Sequence, residues 1–135
     1  MSIWSIGVLA AKSIVLEDPE GQSHFLGLAD DAETPAAYLI LSRVREYDEQ
    51  DHALGMATYH IEFSGQGMSG YGGIREARLS KGRLDLQFDE KGMEFLGGLK
   101  SLTVGFSEDQ VTFKMLKKVL SDIFGGSDCA FRVAV

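Results

Sequence analysis

An α+β domain, an antiparallel β-sheet of hairpins with one long amphipathic helix near the C-terminus packed on it, is the fold this sequence predicts. Three observations carry that expectation. Apolar and polar side chains alternate with period two through most of the 135 residues. Two sets of turn residues, Asp18-Pro19-Glu20-Gly21 and Lys81-Gly82, interrupt the alternation where hairpins would reverse. Only after Ser107 does the period become helical.

The elements follow in order. Residues 3–11 are mostly apolar, but no basic residue precedes them and Lys12 leads into a strand-like stretch, so this segment reads as mature structure, not an export signal. The Asp18 turn joins residues 13–16 to 24–28 as a hairpin, with proline presetting one φ and glycine free to take a positive one. Tyr38, Leu39, Ile40 and Leu41 are apolar on both faces, as a central strand requires. From Ala57, the residues Ala57, Tyr59, Ile61 and Phe63 face one way and Thr58, His60 and Glu62 the other. With Lys81-Gly82 as a two-residue turn, Leu79 falls opposite Leu84, Ala77 opposite Leu86 and Arg78 opposite Asp85. A short helix-compatible stretch, 91–96, stops at Gly97-Gly98, and Leu102, Val104 and Phe106 then share one strand face. Ser107 to Gln110 form a capping box, Met115, Leu116, Val119, Leu120, Ile123 and Phe124 recur at helical spacing, and Gly125-Gly126 end the helix.

Composition sets the outer limits. A chain of this length, 44% hydrophobic and 24% charged, fits a single domain over residues 1–135. Twenty acidic against thirteen basic residues give a net charge of −7, which disfavours nucleic acid and anionic membranes and attracts basic proteins. Cys129 is the only cysteine, so no intramolecular disulfide and no thiolate zinc cluster can form; a reducing, cytoplasmic setting fits. No stretch approaches the roughly eighteen apolar residues of a membrane span.

No catalytic signature survives weighing. Gly65 to Gly70 match the dinucleotide fingerprint in letters, but a further strand follows where the phosphate-binding helix should begin, so a glycine-rich turn is the better reading. Ser69 misses the nucleophile elbow by one residue. His24, His52 and His60 have no metal-ligand spacing, and residues 48–51 lack the alternating ligands and central glycine of a calcium loop. No metal or cofactor is expected. Met56 and Cys129 read as core or half-buried apolar groups.

The most informative feature is the run Glu46-Tyr47-Asp48-Glu49-Gln50-Asp51, four carboxylates around a tyrosine at the end of the most apolar strand. Such a loop repels itself and calls for a reason to persist, whether a metal, a basic partner or solubility. Asp30, Asp31 and Glu33 form a second acidic group, and Tyr47, Tyr59 and Tyr71 are candidate aromatic anchors, although cross-strand packing is the stronger expectation for any one of them.

Residues 28–74 resemble a known family. Ala29-Asp30-Asp31, the strand 38–41, Asp48-Glu49-Gln50-Asp51, Leu54-Gly55-Met56, Thr58-Tyr59, Ile61-Glu62 and Ser69-Gly70-Tyr71-Gly72-Gly73-Ile74 look, in one colinear block, like the signature of the immunity protein 10 family. Ala57 departs from that pattern, in which an acid is usual, and the first 25 and last ten residues have no counterpart. The resemblance implies a partner protein: family members are encoded beside bacterial polymorphic toxins and neutralise them by direct binding. On this reading the chain is not an enzyme; it meets a cognate toxin, for which a basic nuclease would suit its charge, through Asp30, Asp31, Glu33, Glu46, Tyr47, Asp48, Glu49, Asp51, Tyr59 and Tyr71. The alternatives are a small metal-dependent or acid–base enzyme using the acidic clusters, or an assembly module without a toxin.

Overall fold

The computed structural model describes residues 6–18, 21–31, 33, 36–54, 57–64, 68–107 and 113–134. Among these described residues it is an α+β fold of ten strands in two sheets with three helices. The strands are β1 (Ile6–Ala11), β2 (Ser13–Glu17), β3 (Ser23–Ala29), β4 (Tyr38–Val44), β5 (His60–Phe63), β6 (Ser69–Tyr71), β7 (Ile74–Ser80), β8 (Arg83–Phe88), β9 (Ser101–Phe106) and β10 (Ala130–Val133). The helices are α1 (Glu49–Ala53), α2 (Glu90–Phe95) and α3 (Phe113–Phe124).

The expected single antiparallel sheet is corrected to two. One has the order β1-β9-β8-β7-β10, the other β2-β3-β4-β5-β6. The second is wholly antiparallel, whereas β1 runs parallel to β9 and β10 parallel to β7 in the first. Of the three helices, α3 stands on part of the long C-terminal helix expected, α2 on the helix-compatible stretch 91–96, and α1 on the acidic run that the sequence presents as a loop. The crossing from β6 to β7 is made at Gly72 and Gly73, both at positive φ (72° and 93°), a region side-chain-bearing residues rarely adopt. Gly73 also packs so tightly that an added Cβ would lie 2.7 Å from the Cα of Gly92 in α2. The glycines of the Tyr71-Gly72-Gly73-Ile74 motif therefore serve the switch between sheets.

Local expectations fare better. The β2–β3 hairpin forms, with Gly21 at φ 70° donating its N–H to the Asp18 carbonyl; Pro19 and Glu20 lie outside the described residues. In the β7–β8 hairpin Leu79 faces Leu84, Ala77 faces Leu86 and Arg78 faces Asp85, as spacing predicted. The Asp85 carboxylate nevertheless takes Arg83 (2.8 Å) and the Thr103 hydroxyl as its partners. β4 is central in its sheet, but only Leu39 and Leu41 are buried; Tyr38 and Ile40, on the opposite face, are half-exposed.

Inward side chains of both sheets and α3 form one apolar core: Leu26, Leu28, Leu39, Leu41 and Ile61 from one sheet, Leu79, Leu84, Leu86, Leu102 and Val104 from the other. From α3, Leu116, Leu120, Ile123 and Phe124 enter it at helical spacing, and the helix packs on β3, β4 and β10. Of the expected capping box, Ser107 to Gln110, residues 108–110 lie outside those described. Arg43 reaches from β4 to donate to the carbonyls of Asp122 and Gly125 at the α3 C-terminus, where a cation is favoured. Cys129 is buried, as expected for a small apolar group; Met56 lies outside the described residues.

Candidate functional site

The two acidic groups sit at opposite ends of β4. Asp30 and Asp31 precede the strand, the 46–51 segment follows it, and seven extended residues span about 20 Å. They cannot act together on one atom.

Much of their chemistry is local. Asp30 accepts the amides of Ala36 (3.0 Å) and Ala37 (3.2 Å), and Asp31 accepts that of Glu33 (2.8 Å), closing the β3–β4 connection. The acidic run folds into α1: Asp48 accepts the Asp51 amide at 2.8 Å while the Asp51 carboxylate accepts the Asp48 amide at 3.1 Å, a reciprocal capping box. In sequence these aspartates look like a loop because the helix is only five residues long and buries nothing. The pattern D-x-x-D was the available signal. Glu46 and Glu49 remain exposed, as does Glu33.

The tyrosines divide three ways. Tyr59 is 2% exposed, packs edge-on to Phe124 at 5.1 Å, and its hydroxyl accepts the Ile74 amide at 2.8 Å, so in this structure it offers a partner no surface. Burial pushes its phenol pKa upward. Tyr47 is half-buried between His52 and the Arg43 guanidinium, which stands 5.4 Å from its ring centroid. Tyr71 meets His60 at 4.9 Å.

His60, Tyr71, Ser42, Val44 and Asp51 line a hollow of about 230 Å³ on the side of the second sheet away from the core. It leads onto a face that sequence reading missed. Alternation along β2 to β6 turns Val15, Phe25, Gly27, Tyr38, Ile40, Val44, His60, Glu62 and Tyr71 outward. Ser13, Val15, Phe25, Ile40, Asp31 and Glu62 border a shallow groove of about 430 Å³ there. Tyr38 donates to the Glu62 carboxylate at 2.5 Å, and that bond raises the phenol pKa. Burial lowers the His60 pKa, with nearby Glu62 partly opposing.

The largest cleft, about 800 Å³, lies elsewhere, between the β2–β3 hairpin and α3. Its rim mixes Lys114, Lys118 and Arg45 with Glu17, Asp18 and Asp122, and Lys118 is already paired with Asp122 at 2.6 Å. Ser23 and His24 line it as well, with the His24 imidazole 3.8 Å from the Asp122 carboxylate, but these successive residues of β3 turn their side chains to opposite faces, so hydroxyl and imidazole do not converge on one point. Among the described residues no three His, Cys, Asp or Glu side chains assemble as metal ligands, and no helix is long and apolar enough to cross a membrane.

The family model described as Immunity protein 10 covers residues 10–114, from β1 into α3 and across both sheets. No curated protein and no solved structure matches the chain.

Proposed function

Because the chain belongs to the Immunity protein 10 family, we propose that it binds a cognate bacterial toxin in the cytoplasm and neutralises it by direct, non-catalytic contact. The observation that carries this reading is a family match over most of the chain. Charge supports it: a net −7 speeds encounter with a basic partner, and a nuclease, whose own ligand is polyanionic, is the toxin class it suits. Glu33, Glu46 and Glu49 are the carboxylates free to meet such a partner, with Asp30, Asp31, Asp48 and Asp51 contributing field while they hold their loops. Tyr47 and Tyr71 are the anchors that retain some exposure.

The separation of the acidic groups weighs against the carboxylate-enzyme alternative. The test is protection. Co-expression with the toxin encoded beside it should restore growth and yield a co-purifying complex, while the isolated chain should turn over neither nucleotides, esters nor phosphodiesters, with or without divalent metals. Turnover that disappears in an Asp30→Asn, Asp31→Asn variant would reverse this reading.

A further inference from the structure

We propose that the outward face of the second sheet is the surface on which a basic protein partner docks, an inference that rests on the immunity reading and specifies its interface. Among the described residues no helix packs across this face. α3 meets β3 and β4 from the inward side, where Arg43 touches its last turn, and α2 meets β6 through Gly70, whose Cα faces the Phe95 ring. Two of the large apolar residues that the described chain leaves exposed, Val15 (45%) and Val44 (43%), lie on this face.

At its middle the row Val15, Gly27, Ile40 crosses three strands in register. Gly27 has an ordinary φ, so no turn requires glycine there; the missing side chain leaves the groove between Val15 and Ile40, with the Phe25 ring 3.2 Å from where a Cβ would stand. An apolar hollow edged by Asp31 and Glu62 is a socket for an apolar or long basic side chain, whose aliphatic stem can lie on the sheet while its head meets a carboxylate.

Charge selects the occupant. Residues 13–71, which contain all five strands of this sheet, hold eleven acidic and two basic side chains, a formal −9; the other residues hold nine acidic and eleven basic, +2. The net charge of the molecule is thus carried by one sheet and its loops. A second copy seated face to face would oppose −9 with −9, and nucleic acid or an anionic membrane would be repelled likewise. A basic protein surface is the complement. Four strand spacings of about 4.8 Å by about 20 Å of strand give on the order of 400 Å², half of the roughly 800 Å² per partner of a standard interface. A partner on this face must therefore also cover the carboxylate loops at both ends of β4.

The experiment measures binding kinetics of the neighbouring toxin domain, at about 0.15 M salt, to the parent chain and to Val15→Lys, Val44→Lys and Ile40→Lys, with thermal melts to certify folding. Val8→Lys, at a residue 79% exposed on β1 of the other sheet, and Met115→Lys on α3 are the controls. The expected result is at least a tenfold loss of affinity for Val15→Lys and Val44→Lys and less than a twofold change for the controls. Should Ile40→Lys unfold, the two valines, which are more exposed, still decide. Loss confined to Val8→Lys or Met115→Lys would overturn the assignment of this face while leaving the immunity reading intact; failure of the parent chain itself to bind would overturn both.

Discussion

Gly73 and Gly92 meet backbone to backbone at the point where the chain leaves one sheet for the other. The Gly73 carbonyl accepts the Asp89 amide at 3.0 Å, and Asp89 in turn caps α2 through the Gly92 amide at 2.9 Å. A Cβ on Gly92 would be driven into that carbonyl. Gly92→Ala should therefore cost about 3 kcal/mol or more in denaturant titration, although alanine is the better helix former. Gly105→Ala, in a strand with open space around it, should change stability by less than about 0.5 kcal/mol. Equal small losses at both would mean that α2 packs loosely on the β6–β7 crossing.

The inward stripe of α3 makes a second comparison. Leu116→Ala and Leu120→Ala, both fully buried, should each cost about 2–5 kcal/mol, and Met115→Ala, half-exposed, well under about 1 kcal/mol. Chemical denaturation of the three variants checks this, and similar values at all three would detach α3 from the core.

Within the acidic run the fold and the encounter separate. Asp48→Ala removes the α1 cap, worth about 1 kcal/mol, and should show as faster amide exchange at Asp51 and His52 with little change in global melting. Glu46→Lys with Glu49→Lys spares the capping box and should slow toxin association about tenfold or more at low salt. That effect should fade as ionic strength passes about 0.15 M, where the Debye length is roughly 8 Å. Association rates indifferent to both charge and salt would remove this segment from steering.

His60 sets an acid-side limit. Burial holds its pKa below the ordinary value, so the unfolded chain takes up the proton first as pH falls; the stability contribution is present above the unfolded value of about 6.5 and is lost below it. His60→Asn should accordingly lose less melting temperature than the parent between about pH 7.5 and pH 5. Parallel declines would show that His60 does not govern this window.

Cys129 is buried, and burial pushes its thiol up to about 12. A thiol reagent at about pH 8 should react with the folded chain at least about tenfold more slowly than with the chain in denaturant. Equal rates would mean β10 detaches readily from β7.

What the sequence by itself determined is what short range controls. The register of β7 with β8 was legible because a two-residue turn leaves one pairing that buries Ala77, Leu79, Leu84 and Leu86 together. The α2 stop at Gly97 and the inward face of β9 were legible for the same reason: neighbouring residues decide them. The family was legible too, because its motifs are local strings. Tertiary structure alone decided which strands share a sheet. Period two tells which side of a strand is apolar and says nothing of its partner, so the parallel pairs β1–β9 and β7–β10, with several other strands and helices between their members in the chain, left no local trace. It also decided the fate of the candidate site. Asp30 and Asp48 look like members of one acidic surface in sequence, but β4 holds them about 20 Å apart, and Tyr59, in phase with the buried Ile61, lies in the core against Phe124, where the Ile74 backbone satisfies its hydroxyl.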